Sequence, residues 1–345
     1  MPVKEVFLTF DVEGPPFNED YMDDRALRSL LRLLRLMNKH ELKGIFFILG
    51  SVVGRIRGNH EVMELLQQHE IGYHSSSHCI RPMIFDYTDV ENYDEAVEES
   101  LIRENSSINP RTGRVSGEGG ILSLKRAFPE KKIQCVRVPF LCWTPPHLEA
   151  MRNCGLKYDF STCISEAPNR KPRQHRGITF YPHPISIDFR TSPIGSIRTL
   201  PRRRVVPTFL FSDLIKQECT VLMKHPTMLV YHTPRRNANS HFLVGKDSVQ
   251  NKPRRSFNST TLIFSTEMLF SEVKLFQEIG AVKITPELKM SDTAVDLSRI
   301  DCREVYEMSM WAPRKFFGVK PKHLFGHFKS FLNGQSGVCE AASSE

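Results

Sequence analysis

Apolar strands alternate with amphipathic helices along the first half of this chain, and this alternation restricts the fold more than any other feature. The runs "VFLTFDV" (6–12) and "GIFFILG" (44–50) are typical of strands covered on both faces. Between them, leucines three and four residues apart predict an amphipathic helix over residues 24–40. Such alternation predicts a parallel sheet, and at 345 residues a closed or nearly closed α/β barrel.

The same patterns predict further elements and a division of the chain. Helices are predicted at 61–69, 145–154 and 266–279, and strands at 135–140, 227–233 and 281–285. Residues 177–207 are polar and strand-like, which indicates an excursion near one end of the barrel. We therefore expect one barrel domain over residues 1–300 and a C-terminal extension over residues 301–345, with an amphipathic helix and a disordered end.

Two carboxylates follow directly on the first apolar strand. Asp11 and Glu13 are two residues apart, so in an extended chain both side chains point to the same side. A solvated turn is the simple alternative, because Gly14-Pro15-Pro16 ends the strand. In parallel α/β folds, however, reactive groups gather where strands end, so polar residues at other strand ends are expected to meet Asp11 and Glu13.

A histidine pair supplies such partners. His74 and His78 are four residues apart in "HEIGYHSSSH", and on a helical turn this spacing places both imidazoles on one face. The spacing alone is a weak signal. Together with one carboxylate, however, two histidines make a coordination set for a catalytic divalent metal, with positions left for water.

The order of these motifs resembles the polysaccharide deacetylase family, also called the NodB-homology or carbohydrate esterase family 4. The family motif T-F-D-D-G corresponds to "TFDVEG" at residues 9–14, and H-E-I-G-x-H-x-x-S-H to residues 69–78. R-x-P-(Y/F), D-x-S and L-x-x-H correspond to residues 137–140, 159–161 and 229–232. The resemblance extends over roughly residues 5–290 and implies an irregular (β/α) barrel of about seven parallel strands.

The resemblance also implies a divalent metal held by Glu13, His74 and His78. Zn²⁺ is the first expectation, with Co²⁺, Mn²⁺ and Fe²⁺ as alternatives. The chain departs from the family where Val12 replaces the second aspartate of the D-D pair, so Glu13 is assigned the metal and Asp11 the role of base. The reverse, with Asp11 as a metal ligand, stays open.

The remaining roles are likewise implied by the resemblance. Arg137 would orient Asp11 and keep it ionised, and the backbone N–H of Phe140 would bind the oxyanion. His232 would protonate the departing amine, and Asp159 would keep His232 protonated. Each has a structural alternative: an ion pair for Arg137, a turn cap for Asp159 and a buried strand histidine for His232. The predicted activity is metal-dependent hydrolysis of an N-acetyl or other N-acyl amide on a carbohydrate-assembly intermediate.

Net charge and cysteine usage suggest the substrate and the compartment. The chain carries a formal charge of +8, with basic clusters at 170–176, 202–204, 235–236 and 252–255 that are interpreted as loops. They suit a sugar linked to phosphate, on a nucleotide or a polyprenyl carrier, and they include no recognition helix for nucleic acid. The eight cysteines form no CxxC pair, and no secretory signal is recognised, so a cytoplasmic protein with free thiols is expected.

The segment 311–334 carries five Lys or Arg, no acid and an apolar stripe rich in phenylalanine. This composition is typical of interfacial anchors, so peripheral contact at the inner face of the membrane is predicted, with a helix packed on the barrel as the alternative. No stretch reaches the roughly 18 apolar residues of a spanning helix. Two rival functions stay open: an amidohydrolase of a non-sugar amide, and an inactive sugar-binding relative, which Val12 favours.

Overall fold

The computed structural model describes residues 4–15, 18–78, 90, 92–139, 144–161, 172–181, 219–224, 226, 282–284, 286–288, 294–299 and 301–304. The helices are α1 Asp24–Lys39, α2 Val53–Arg57, α3 His60–Leu66, α4 Tyr93–Glu104, α5 Gly120–Ala127 and α6 Pro145–Asn153. The strands are β1 Lys4–Val12, β2 Ile45–Ile48, β3 Glu70–Tyr73, β4 Ser106–Ile108, β5 Val115–Glu118, β6 Cys135–Val136, β7 Tyr158–Asp159, β8 Arg173–His175, β9 Ile178–Phe180, β10 Cys219–Lys224, β11 Val282–Ile284 and β12 Val295–Asp296.

Seven neighbouring strands of the main sheet run parallel, in the order β10-β1-β2-β3-β6-β7-β9. Beyond β9 the sheet continues with antiparallel β8 and then β12, while β11 also pairs with β1. Strands β4 and β5 form a separate antiparallel pair. The predicted α/β fold of about seven parallel strands is thereby confirmed.

The two faces of β1 bury different side chains. Leu8, Phe10 and Val12 belong to the larger apolar cluster, which also contains the inner face of α1. Phe7 belongs to a second cluster on the opposite face, together with Phe47 of β2. Because side chains of a strand alternate between faces, the residues at positions 9 and 11 share the face of Phe7. Thr9 and Asp11 therefore lie on the side of the sheet turned away from α1.

Helix α1 follows directly from its sequence pattern. The side chain of Asp23 caps its first turn by accepting the Ala26 N–H at 2.7 Å. Leu30 and Leu34 are fully buried on its inner face. The observed bounds, Asp24–Lys39, differ by a single residue from the predicted 24–40.

Several predicted elements differ from the structure in detail. Strand β6 ends at Val136, so residues 137–139 lie beyond the strand rather than inside it. Residues 178–180 form β9 of the main sheet and not a polar excursion, because their side chains are buried. Arg173, assigned to a basic loop, lies on β8 and is 4% exposed. The predicted elements at 227–233 and 266–279 lie outside the described residues.

Three cysteines in the described part of the chain, Cys135, Cys154 and Cys302, are free and buried, as expected. None of the helices described here has the length and apolar character needed to cross a bilayer. The segment 311–334 lies outside the described residues, so its membrane contact stays a prediction. The domain boundary at residue 300 also stays a prediction.

Candidate metal and catalytic site

Three side chains converge at the carboxyl ends of β1 and β3, the two strands on either side of β2. Glu13 directly follows β1, and His74 directly follows β3. The Oε2 atom of Glu13 lies 3.2 Å from His74 Nε2 and 3.1 Å from His78 Nε2. One potential ligand atom from each residue lies within 4.8 Å of the other two. The structure thus brings together the three residues that the sequence indicated as metal ligands.

The histidine pair meets in a way that the spacing did not predict. Residues 74–78 form a loop and not a helical turn, and Ser75 has a left-handed φ of 68°. The loop bends so that both imidazoles face Glu13, with ring centroids 5.8 Å apart. At its far end, the His78 N–H donates to the carboxylate of Asp20 at 2.9 Å. We call residues 74–78 the ligand loop.

The donor set fits a divalent cation. His74 Nδ1 lies 2.5 Å from the carbonyl oxygen of Arg137, which can only accept, so Nδ1 carries the proton. The lone pair of Nε2 is then directed toward Glu13, as in metal-bound histidines whose other nitrogen donates to a carbonyl. One carboxylate oxygen and two imidazole nitrogens form a set that Zn²⁺ and similar ions accept.

The electrostatic surroundings of His78 also favour a positive charge at this point. Burial alone would lower the pKa of His78. The hydrogen bond and the negative charge of Glu13, with the charges of Glu19 and Asp20, raise the pKa above its ordinary value. These carboxylates stabilise a cation at the site, whether that cation is a proton or a metal ion.

Asp11 lies beside this cluster and is held by a buried cation. Arg137 Nη1 donates to Asp11 Oδ1 at 2.7 Å, and Nη2 donates to Thr9 Oγ1 at 2.6 Å. Arg137 has no exposed surface, and its guanidinium lies 4.5 Å from the centre of the Phe47 ring. Its Nε also donates to the carbonyl of Phe160 at 3.2 Å. Arg137 therefore contacts the site at two points. Its guanidinium binds the carboxylate of Asp11, and its backbone carbonyl accepts from the ring of His74.

Val12 does not lie in the site at all. It is 1% exposed and packs in the apolar cluster of α1, because its side chain points to the opposite face of β1 from Asp11. Glu13, one residue further along, contacts both histidines. The departure from the D-D pattern thus gives a core residue at position 12 and an acidic residue at position 13.

Asp159 ends β7 and is 1% exposed. Its carboxylate accepts the Ser161 N–H at 2.9 Å and the Ser161 hydroxyl at 2.8 Å. Burial raises the pKa of Asp159 to about 6, although these hydrogen bonds and the charge of Arg137 act in the opposite direction. His232 and Phe140, the predicted acid and oxyanion residues, lie outside the described residues.

Three residues that contact the site were missed from the sequence. Thr9 and Ser161 lie inside recognised motifs, and their spacing of two residues from Asp11 and Asp159 was a usable signal. Asp20 carries no such signal. It lies in the loop after β1 and reaches the ligand loop only through the tertiary fold.

Comparison with known protein families identifies the family to which the residues of this site are related. Residues 1–158 match the family described as Polysaccharide deacetylase. These residues belong to the polysaccharide deacetylase family. The match contains every proposed site residue except Asp159 and His232, which follow its end. Membership in this deacetylase family supports a hydrolase that acts on amide bonds of sugars, and members are in general metal-dependent.

Several solved structures also align with this chain. The chain aligns with a polysaccharide deacetylase, Bc1974 from Bacillus cereus, at 14% identity and TM-score 0.39, covering 87% of this chain and 99% of the other. It aligns with the catalytic domain of a peptidoglycan N-acetylglucosamine deacetylase from Eubacterium rectale at 14% identity and TM-score 0.39, covering 85% and 92%.

A 4-alpha-glucanotransferase from Thermococcus litoralis aligns at 14% identity and TM-score 0.41, covering 67% of this chain. The chain spans only 35% of the length of that transferase. A search of curated proteins finds no match to this chain. At these identities and TM-scores, the likenesses do not bear on substrate or activity.

Proposed function

We propose that this protein is a metal-dependent N-deacetylase that removes an acetyl, or another acyl group, from an amino sugar in a carbohydrate-assembly intermediate. The observation that carries the proposal is the convergence of Glu13, His74 and His78 beside an aspartate, Asp11, that is paired with Arg137. This arrangement provides a cation site and a proton acceptor on the same face of one sheet.

Glu13, His74 and His78 would hold the cation, and Zn²⁺ suits their mixed nitrogen and oxygen donors best. The chemistry that such an ion supplies when bound is polarisation of an acyl carbonyl and acidification of water. Asp11 is the poorer candidate for a ligand, because its Oδ1 already accepts from Arg137 at 2.7 Å.

Asp11 acts as the general base of the proposed reaction. It accepts a proton from water as the water oxygen attacks the acyl carbon, a role that typically contributes about 10²–10⁴-fold to rate. Arg137 and Thr9 fix the orientation of the base. The carbon–nitrogen bond then breaks, the amine leaves with a proton from His232, and the acyl group leaves as a carboxylate. Phe140 N–H binds the oxyanion, and Asp159 keeps His232 protonated.

The substrate is proposed to carry phosphate, on a nucleotide or a polyprenyl carrier. The net charge of +8 supports this, since phosphates bind well to arginine-rich surfaces. A cytoplasmic location, with peripheral membrane contact through residues 311–334, is proposed on the sequence features alone. The rival interpretation as an inactive sugar-binding relative loses its main support, since Val12 is a core residue and Glu13 lies at the histidines.

Elemental analysis of wild type, Glu13→Ala and Asp11→Ala, purified identically and loaded with Zn²⁺, tests the proposal. We expect stoichiometric metal in wild type and Asp11→Ala, and loss of metal in Glu13→Ala. Acetate release from N-acetylated nucleotide-linked and polyprenyl-linked amino sugars should be absent in both variants. Metal lost in Asp11→Ala instead would exchange the two roles. Wild type without metal, even after loading, would contradict a metal-dependent hydrolase.

A further inference from the structure

A carboxylate behind the ligand loop, Glu104, is buried and carries several hydrogen bonds. Glu104 is the last residue of α4 and is 2% exposed. It accepts the Tyr73 hydroxyl at 2.6 Å, the Ser75 hydroxyl at 2.8 Å and the Ser76 N–H at 3.2 Å. His147 Nε2 lies 2.8 Å from Glu104 Oε1, the oxygen that also accepts from Ser75. None of these four partners is a proposed ligand, and two of them lie in the loop between the ligands.

The charge state of Glu104 follows from these partners. Burial alone would raise the pKa of the carboxyl group, since a buried charge is costly. The hydrogen bond and charge of His147, with the hydrogen bonds of Tyr73 and Ser75, lower the pKa below its ordinary value. Glu104 is therefore an ionised carboxylate in the protein interior. The side chains and the N–H group that donate hydrogen bonds to Glu104 are held in position by those bonds.

The conformation of the ligand loop needs such a restraint. Ser75 has a φ of 68°, a left-handed conformation that is unfavourable for a residue with a side chain and persists only when its surroundings enforce it. The Ser75 hydroxyl donates to Glu104, and its carbonyl accepts the Gly50 N–H at 2.8 Å. Ser76 donates its hydroxyl to the Arg103 carbonyl at 2.9 Å.

The surrounding backbone packs closely against Ser76. Gly120 has a φ of 49°, and a Cβ there would lie 2.1 Å from Ser76 Oγ and 2.8 Å from the Tyr73 hydroxyl. A Cβ on Gly50 would lie 2.9 Å from the Ser76 Cα. Contacts this short exclude a side chain at either glycine without rearrangement. The position of the ligand loop is therefore set by close backbone packing as well as by its hydrogen bonds to Glu104.

We infer that Glu104 is a positioning residue of the metal site: its hydrogen bonds to Ser75 and Ser76 hold the ligand loop so that His74 and His78 face Glu13 before the cation arrives. A site that is formed in advance does not lose binding free energy to ordering the loop. The inference rests on the proposed metal site, and partners of this kind typically contribute about 10–100-fold in metal affinity.

The test measures the affinity of the apoprotein for Zn²⁺ alone, in competition with a chromophoric chelator, together with the absorption spectrum of the Co²⁺-loaded protein. Glu104→Gln removes the charge and keeps the size. Ser75→Ala keeps the charge and removes the side-chain hydrogen bond between the loop and Glu104. Glu149→Gln is the matched control, since Glu149 accepts a tyrosine hydroxyl, Tyr93, at 2.8 Å away from the ligand loop. All variants are compared by thermal unfolding without metal.

We expect Glu104→Gln and Ser75→Ala each to weaken Zn²⁺ affinity by about tenfold or more, to alter the Co²⁺ spectrum, and Glu149→Gln to match wild type. Wild-type affinity in Glu104→Gln would overturn the inference and leave the metal site intact. Weakening in Glu104→Gln but not in Ser75→Ala would also overturn it, by showing an effect of charge alone. If Glu104→Gln does not fold, Ser75→Ala decides. A wild type that binds no Zn²⁺ would overturn the proposed function itself.

Discussion

Strand β3 has a buried histidine at each end, and the two histidines lie in opposite surroundings. His69 directly precedes the strand and is 3% exposed, while His74 directly follows it and is 2% exposed. Burial, with the charges of Lys43 and Lys131, lowers the pKa of His69 to about 4. His74 instead lies 3.2 Å from the carboxylate of Glu13. One histidine is a neutral packing residue, and the other is part of a charged cluster.

The comparison shows that the strand end, and not the residue type, decides what a buried histidine does. At the amino end of β3, His69 packs on the ring of Phe46, with centroids 4.8 Å apart. At the carboxyl end, the loops after β1 and β3 meet and bring Glu13 to His74. Parallel strands place all such loops at one edge of the sheet, which is why functional groups collect there.

Exchanging the two histidines for apolar residues tests this contrast most strongly. His74→Ala removes a proposed ligand, so Zn²⁺ affinity and acetate release should fall by more than about 100-fold, the upper range for residues that only support a ligand. His69→Leu should keep wild-type Zn²⁺ affinity. Chelator competition with Zn²⁺ and acetate release measure the two effects. Equal loss of Zn²⁺ in both variants would remove the distinction between the strand ends.

Arg137 tests whether the carboxyl end depends on buried charge pairing. Arg137→Met leaves the carboxylate of Asp11 buried without its cation, and breaking a buried pair in this way costs about 3–5 kcal/mol. Urea unfolding measures the free energy of unfolding. Glu61→Gln is the control, because Glu61 pairs with Arg35 at 2.6 Å on the surface and should show no measurable change. If Arg137→Met changed the free energy of unfolding as little as Glu61→Gln does, the buried pair of Arg137 and Asp11 would not stabilise the fold.

The pH dependence of the free energy of unfolding tests His69, the histidine at the amino end of β3. The pKa of His69 is about 4 when folded and ordinarily 6.5, so the unfolded chain binds more protons between these values. The contribution of His69 to stability is complete above pH 6.5 and is lost as pH falls toward 4, by about 3 kcal/mol at most. Urea unfolding from pH 4.5 to 7.5 should show that wild type loses stability on acidification relative to His69→Leu. A constant difference would mean that His69 titrates normally.

Asp159 should show the opposite slope at the carboxyl end. Its pKa is about 6 when folded and ordinarily 3.8, so the folded protein binds more protons between these values. Wild type should therefore gain stability relative to Asp159→Asn as pH falls from 6 toward 4, by about 2 kcal/mol. The same unfolding series measures this difference. A loss of relative stability on acidification would show that Asp159 is ionised throughout.

Helices and strands with a strong local sequence pattern were predictable. Those whose position depends on contacts with distant segments of the chain were not. The apolar stripe gave α1 almost to the residue, and "GIFFILG" gave β2 at Ile45–Ile48. Strand β10, Cys219–Lys224, was missed because its position is set by pairing with β1 over six residues. Helix α4 was also not predicted. Its inner face is interrupted by polar residues, and one of these is Glu104, which is buried because the ligand loop satisfies it.

The sequence alone indicated the candidate site residues. Asp11 and Glu13 at a strand end, with His74 and His78, were legible because extended strands and short motifs fix which side chains lie near each other locally. The tertiary structure decided everything that depends on distant segments meeting. It buried Val12, bent the ligand loop away from a helical turn, paired Arg137 with Asp11 across 126 residues and placed Glu104 behind the serines. Hydrogen bonds between such distant residues leave no periodic trace in a sequence, because only the fold sets the distance between their atoms.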